Sequence, residues 1–192
     1  MQIPFNQKQQ AAVVRVASFA KVKKRLAMAN KGYIKFSVEK KNGSRRWIHA
    51  PHYIVKSAQK TVLANIPSPT VTQYDHEVIT GFVPGMSILD NARPHVGKQV
   101  VLSIDLKNFF PSIHSNQIRT ALSSILTSYH DVRELVTTGS GNLPQGAPTS
   151  PMIANWVCVE GDLELVEFCT KHKLAYTRYA DDLTFSSFTD ID

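Results

Sequence analysis

The chain has 192 residues but only two cysteines, and it contains no long apolar run. Cys158 and Cys169 fall within one predicted helix, so we expect packing residues rather than a disulfide framework or a zinc cluster. The apolar runs are shorter than the roughly 20 residues that cross a membrane. The N-terminus also lacks the apolar block and cleavage site of a signal peptide. These absences predict a soluble, intracellular protein with no membrane partner.

Acidic residues are scarce in the first 60 positions, where Glu39 is the only acid beside 14 lysines and arginines. This part carries a net charge of +13 and the remaining 132 residues carry −6. A basic segment attracts a polyphosphate backbone, and an acidic one tolerates metal ions. We predict a basic amphipathic helix in residues 1–33 that contacts nucleic acid, with a solvated helix face or a transit peptide as alternatives. Its basic cluster consists of Lys21, Lys23, Lys24 and Arg25.

Local patterns predict a mixture of helices and strands. Alternation on both sides of Asn42-Gly43 favours a hairpin of residues 34–40 and 45–50. A second hairpin is predicted over 174–187, and an apolar, buried strand over 100–104 leads to Asp105. Helical periodicity and stop signals predict helices over residues 54–65, 88–92, 115–126, 131–137 and 150–172.

Three carboxylates stand at the ends of predicted strands. Asp105 closes the apolar strand, and Asp181 and Asp182 occupy the turn of the last hairpin. Acids are common in solvated turns, so the pair alone could be a hairpin tip. If the strands are neighbours, however, the three carboxylates converge and can hold two Mg²⁺ ions about 3.5–4 Å apart. Such a site suits phosphoryl transfer.

Phosphoryl transfer also requires donors to the phosphate oxygens. Arg46 and Lys40 on the first hairpin are candidate cationic donors. The backbone amides of Gln145, Gly146 and Ala147 precede a predicted helix and are further candidates. A histidine such as His95 is more often a hydrogen-bonded structural residue than a metal or substrate ligand.

Four segments carry a resemblance to a known family. The segments LSIDLKNFFPSI, LPQGAPTSPMIAN and YADDLTFS, in this order, resemble the palm motifs of reverse transcriptases. The segment GFVPGMSILDNARPH, with Asn91, Ala92 and His95 in place, resembles the retron branch. QGAPTSP in place of QGGVISP argues against a group II intron enzyme. The resemblance covers the chain from about Ile34 onward.

The resemblance implies roles for individual residues. Asp105 and Asp181 match metal-binding aspartates, Asp182 matches the third catalytic carboxylate, and the backbone carbonyl of Leu106 is an implied metal ligand. Phe110 matches a steric gate that excludes the ribose 2′-OH, while Phe109 and Trp156 are expected in the core. The implied nucleotide contacts are Arg46, Lys40, Gln145 and Gly146. His95 is expected to hold a loop or contact RNA, and Lys21, Lys23, Lys24 and Arg25 to bind RNA.

The implied fold is α+β: right-hand polymerase fingers over residues 34–98 and an incomplete palm over 99–192. An antiparallel palm sheet would be backed by helices at 114–126 and 150–172, and the thumb is not part of the match. The implied activity is RNA-directed DNA polymerisation with two Mg²⁺ ions in the bacterial cytoplasm. A retron enzyme would use a structured non-coding RNA as template and primer, take dNTPs and make msDNA as its DNA product. It would act in antiphage defence beside an effector protein. The alternatives are an inactive fragment that only binds RNA, or another intron or phage-defence reverse transcriptase.

Overall fold

A computed structural model of the chain describes residues 32–123, 125 and 129–189. The predicted basic helix, with Lys21, Lys23, Lys24 and Arg25, lies outside these residues. The chain divides into two compact units, one of residues 1–67 and 110–154 and the other of residues 68–109 and 155–192. Over the described ranges, no helix is long and apolar enough to cross a membrane.

The first unit combines a β-hairpin with helices. Strands β1 (Tyr33–Glu39) and β2 (Arg45–Pro51) pair antiparallel about a turn in which Gly43 has a φ of +77°. The helices are α1 (Tyr53–Leu63), α3 (Phe109–Ser112, which straddles the boundary), α4 (Ser115–Ser123) and α5 (Tyr129–Val136). The core includes Val55 and Val62 of α1, Ile118 of α4 and Leu135 of α5.

The second unit is built around a three-stranded sheet. Strands β5 (Val100–Asp105), β7 (Asp182–Ser187) and β6 (Ala175–Tyr179) lie side by side in that order and are all antiparallel. The other elements are the small pair β3 (Thr72–Gln73) and β4 (His76–Glu77), helix α2 (Ile88–Ala92) and a 3₁₀ turn (Arg93–His95). Helix α6 (Ser150–Lys171) begins in the first unit and contributes residues 155–171 to this one.

The sheet has two chemically different faces, because residues directly opposite on paired strands point the same way. Asp105, Asp182 and Tyr179 stand opposite one another on what we call the carboxylate face. Ile104, Leu183 and Arg178 stand opposite one another on the other side, the helix face. Side chains of the helix face reach Asp162 of α6. The predicted backing of the sheet by the 150–172 helix is thereby confirmed, and backing by the 114–126 helix stays a prediction.

The predicted elements agree with the structure within a few residues, and helix α2 agrees at both ends. Phe109 and Trp156 are buried as predicted, with 7% and 5% exposure. The predicted burial of the apolar strand before Asp105 is wrong. Val101, Leu102 and Ile104 are 44–53% exposed, because β5 lies at the sheet edge and pairs only with β7 among the described strands.

Candidate active site

The three predicted carboxylates meet at one end of the sheet. Asp105 is the last residue of β5 and stands opposite Asp182, the first residue of β7. Asp181 lies in the two-residue turn that joins β6 to β7. Asp182 therefore belongs to the strand rather than to the turn in which it was predicted. The condition set by the sequence, that the two strands be neighbours, is met.

The charges of these carboxylates affect one another. The pKa of Asp182 is raised, first by partial removal of its carboxyl from water and then by the negative charges of Asp181 and Asp105. Like charges held this close disfavour ionisation. A bound cation would relieve the repulsion, so the electrostatics suit a metal site.

The donor set fits a hard cation that keeps part of its water shell. In the part of the chain that the structure describes, no three His, Cys, Asp or Glu side chains form a ready-made metal cluster. The carboxylates thus share one end of the sheet without closing a cage. Mg²⁺ usually binds one or two carboxylates and completes its octahedron with water and substrate phosphates, and these residues suit that mode.

The turn that carries Asp181 is fixed by its backbone. Ala180 has a φ of +60°, a left-handed conformation that non-glycine residues seldom adopt. The Leu106 N–H donates to the Asp181 carbonyl oxygen at 2.9 Å, which ties the turn to the end of β5. Strain of this kind, about 1–3 kcal/mol, persists only where the surrounding contacts impose it.

A short strap of residues 78–81 supports the same turn. The Val78 carbonyl accepts the Arg178 N–H at 2.8 Å, and the Arg178 carbonyl accepts the Thr80 N–H at 3.0 Å. A Cβ atom on Gly81 would overlap the backbone nitrogen of Ala180 and lie 2.8 Å from the carbonyl carbon of Tyr179. Only glycine therefore lets the strap approach so closely.

Three of the predicted nucleotide contacts, Arg46, Gln145 and Gly146, lie on neighbouring segments of the first unit. The His49 N–H of β2 donates to the Gln145 carbonyl oxygen at 2.8 Å. Gly146 has a φ of +118°, and a Cβ there would lie 3.1 Å from Cγ2 of Ile48. The loop therefore sits against β2, the strand that carries exposed Arg46.

The other two predicted nucleotide contacts differ in their surroundings. Lys40 is exposed where the first hairpin turns, and its carbonyl accepts the Gly43 N–H. Phe110 is half-buried within α3, in contrast to its buried neighbour Phe109. Their roles toward a nucleotide stay predictions.

His95 is held inside the second unit. Its Nδ1 lies 2.6 Å from the Ser186 hydroxyl and its Nε2 lies 2.8 Å from the Thr177 hydroxyl. Burial, with smaller effects from the charges of His76 and Lys98, lowers its pKa to about 4. Both ring nitrogens are thus engaged with the carboxylate face. The geometry supports the loop-holding role that the sequence suggested, and RNA contact stays a prediction.

Asn91 reinforces the same attachment. Its side-chain oxygen accepts the Thr80 hydroxyl at 2.9 Å, and its backbone carbonyl accepts the Thr177 hydroxyl at 3.3 Å. Asn91 and His95 together therefore fasten α2 and the 3₁₀ turn to the strap and the sheet. This gives the Asn-Ala-x-x-His segment a structural role in the second unit.

Sequence reasoning missed a set of buried residues behind the turn: Gly81 and the polar Asn155, Asp162 and Arg178. A signal for two of them was present in the sequence. Asn155 and Asp162 are seven positions apart on a largely apolar helix, a spacing that places both on one helix face.

The family model that matches this chain is described as "Reverse transcriptase (RNA-dependent DNA polymerase)" and covers residues 38–190. The retron Mx162 reverse transcriptase of Myxococcus xanthus is 38% identical over 174 residues, which is 80% of this chain and 35% of that protein. The retron Ec86 reverse transcriptase of Escherichia coli is 37% identical over 163 residues, 79% of this chain and 48% of that protein. The chain therefore spans between a third and a half of the length of these relatives.

Proposed function

Since the chain belongs to the reverse transcriptase family, we propose that it carries the catalytic centre of a retron-type RNA-directed DNA polymerase. The reaction is attack of a primer 3′-OH on the α-phosphate of a dNTP, with release of pyrophosphate. The observation that carries the proposal is the register that sets Asp105 opposite Asp182, with Asp181 in the adjoining turn. Fingers over residues 34–98 and palm over 99–192 are the corresponding domain assignment.

Asp105, Asp181 and Asp182 would hold Mg²⁺, with the Leu106 carbonyl as a further ligand. When bound, a pair of such ions supplies Lewis-acid stabilisation of the attacking and leaving oxygens. The protein's own contribution is to keep these carboxylates at the end of a hydrogen-bonded ladder. A charged site on regular strands is positioned more accurately than one on a free loop.

Arg46, Lys40 and the Gln145-Gly146 loop are the proposed nucleotide contacts. Arg46 and Lys40 on the hairpin can neutralise triphosphate oxygens, and the Gln145-Gly146 loop would contact the incoming nucleotide. The hydrogen bond from His49 to Gln145 supports this assignment, because it fixes the loop against the strand that carries Arg46.

The retron assignment adds partners to this proposal. The template and primer would be one structured non-coding RNA, and the product would be msDNA used in antiphage defence beside an effector protein in the bacterial cytoplasm. The basic cluster at Lys21, Lys23, Lys24 and Arg25 is the proposed contact to that RNA, because the phosphate backbone dominates such affinities. The retron reverse transcriptases among the relatives support this branch.

Primer extension tests the proposal directly. The protein is incubated with an RNA template, an annealed DNA primer, dNTPs and Mg²⁺, and the products are resolved by length. We expect stepwise extension that stops when EDTA removes the metal and returns when Mg²⁺ is restored. RNA binding in a gel-shift assay without any extension would instead support an RNA-binding protein and overturn the polymerase proposal.

Phe110 is proposed to select deoxyribonucleotides. Replacing it with valine would open space beside the sugar. The ratio of NTP to dNTP incorporation should therefore rise by about tenfold or more in Phe110→Val, because steric selection of this kind is worth about 1–3 kcal/mol. Single-nucleotide incorporation with each dNTP and its NTP measures the ratio. Phe109→Leu is the matched control, because that neighbouring ring is buried and should affect stability rather than selection. An unchanged ratio in Phe110→Val would refute the gate.

A further inference from the structure

A fully buried ion pair lies on the helix face of the sheet, behind the carboxylates. Arg178 of β6 and Asp162 of α6 are 1% and 2% exposed. The Arg178 Nη2 donates to Oδ2 of Asp162 at 2.7 Å, and its Nε donates to Oδ1 at 2.8 Å. The pair is therefore a two-point fork, the geometry in which arginine binds a carboxylate most strongly.

The same guanidinium reaches the catalytic turn. Its Nη1 donates to the Ala180 carbonyl oxygen at 3.0 Å and to Oδ1 of Asn155 at 2.9 Å. Ala180 is the left-handed residue immediately before Asp181. Arg178 thus links helix α6 to the backbone of the turn: its side chain donates four hydrogen bonds to Asp162 and Asn155 and one to Ala180.

Asn155 extends the link to the strap. Its Nδ2 donates to the Gly81 carbonyl oxygen at 2.9 Å, and Gly81 lies directly against Ala180. The turn is therefore held at its carbonyl by Arg178 and at its nitrogen side by a strap that Asn155 secures. Tyr176 completes the group by donating to Oδ1 of Asp162 at 2.8 Å.

Stability alone is a weak explanation for this arrangement. Removing two charges from water costs several kcal/mol, and well-packed apolar residues often replace a buried pair with no loss of stability. What apolar residues cannot do is donate hydrogen bonds to a strained backbone carbonyl. The contact with Ala180 requires a hydrogen-bond donor at this position, and the two-point fork with Asp162 that aims the donor requires an arginine.

We propose that Arg178 is a positioning residue for the polymerase reaction, held by Asp162 and Asn155, and that it sets the backbone of the turn that presents Asp181 to metal. This inference rests on the proposed function. It predicts that loss of the fork weakens metal binding by about tenfold or more, the usual effect of removing a group that orients a metal ligand.

The test uses three variants of the protein. Arg178→Lys keeps the charge but loses the fork, and the double variant Arg178→Met with Asp162→Leu replaces both charges with apolar side chains. Gln73→Met is the control: Gln73 is also buried and accepts the Tyr176 N–H of β6, but at the end of the strand away from the turn. Mn²⁺ affinity is measured by electron paramagnetic resonance, thermal unfolding by circular dichroism, and kcat and KM by primer extension.

We expect both Arg178 variants to bind Mn²⁺ at least about tenfold more weakly than the wild-type protein does. Their kcat should fall, and their KM for dNTP should stay unchanged. The double variant should keep a cooperative unfolding transition, and Gln73→Met should lose thermal stability while keeping wild-type Mn²⁺ affinity. If the double variant does not fold, the Mn²⁺ affinity and kcat of Arg178→Lys alone test the proposal.

Two results separate this inference from the proposed function. Unchanged Mn²⁺ affinity and kcat in folded Arg178 variants, beside an active wild-type protein, would overturn the inference alone. A wild-type protein that binds no Mn²⁺ and extends no primer would overturn both.

Discussion

Asp181→Asn is expected to reduce primer extension by about a thousandfold or more, because metal-based charge stabilisation is worth several kcal/mol and each 1.36 kcal/mol is a factor of ten. The substitution removes one negative charge from the turn between β6 and β7 and leaves the side-chain volume nearly unchanged. Asparagine is accepted in turns, and the backbone carbonyl at this position still accepts the Leu106 N–H. We therefore expect lost chemistry in a folded protein, measured as the single-turnover rate and as the unfolding temperature.

Asp75→Asn is the matched control for this experiment. Asp75 has the same chemistry and lies in the same unit, but its side chain is fully exposed between β3 and β4. Its replacement should leave the extension rate within about twofold of wild type, since surface changes of this kind alter stability by less than about 0.5 kcal/mol. Equal extension by Asp181→Asn and Asp75→Asn would remove Asp181 from the metal site.

The second large effect is expected at Gly81, which has no side chain and acts only through its close approach to the turn. A methyl group there overlaps the Ala180 nitrogen, so Gly81→Ala must move either the strap or the turn. A displacement of about 1 Å in a reacting group can cost about a hundredfold in rate. We expect primer extension to fall by that factor, with a loss of about 1–3 kcal/mol in the free energy of unfolding from overpacking.

Gly161→Ala separates this steric effect from a general effect of replacing glycine. Gly161 lies in α6 with no atom within 4 Å of an added Cβ, and alanine in a helix interior is favoured over glycine by about 1 kcal/mol. This variant should keep its activity and gain stability in a urea titration. A Gly81→Ala protein as active as Gly161→Ala would show that the turn does not depend on the strap.

Features defined by a few neighbouring residues were predictable from the sequence. The Asn42-Gly43 dipeptide fixed the first hairpin, because Gly43 supplies the positive φ that its turn requires. Helix α2 was predicted at both ends, and its start is a local feature, because Ser87 and Asp90 cap it through their own side chains. The convergence of Asp105 with Asp182 followed once β5 and β7 were assumed to be neighbours.

Features that depend on distant partners were not predictable. The apolar composition of β5 indicated burial, but composition does not tell whether a strand lies inside a sheet or at its edge. Arg178 and Asp162 are 16 positions apart, on a strand and a helix, and no periodicity pairs them. The left-handed backbone of Ala180 was equally hidden, since alanine carries no turn signal of its own.

Both faces of the small sheet are covered away from its carboxylate end. On the carboxylate face, Thr177 and Ser186 are fully buried against His95, and on the helix face Tyr176 and Arg178 are fully buried against Asp162. Only at the end of the strands does the carboxylate face open, where Asp182 is exposed. Replacements along β6 and β7 should therefore disturb packing on either face, and the positions open to change without loss of packing lie next to the carboxylates.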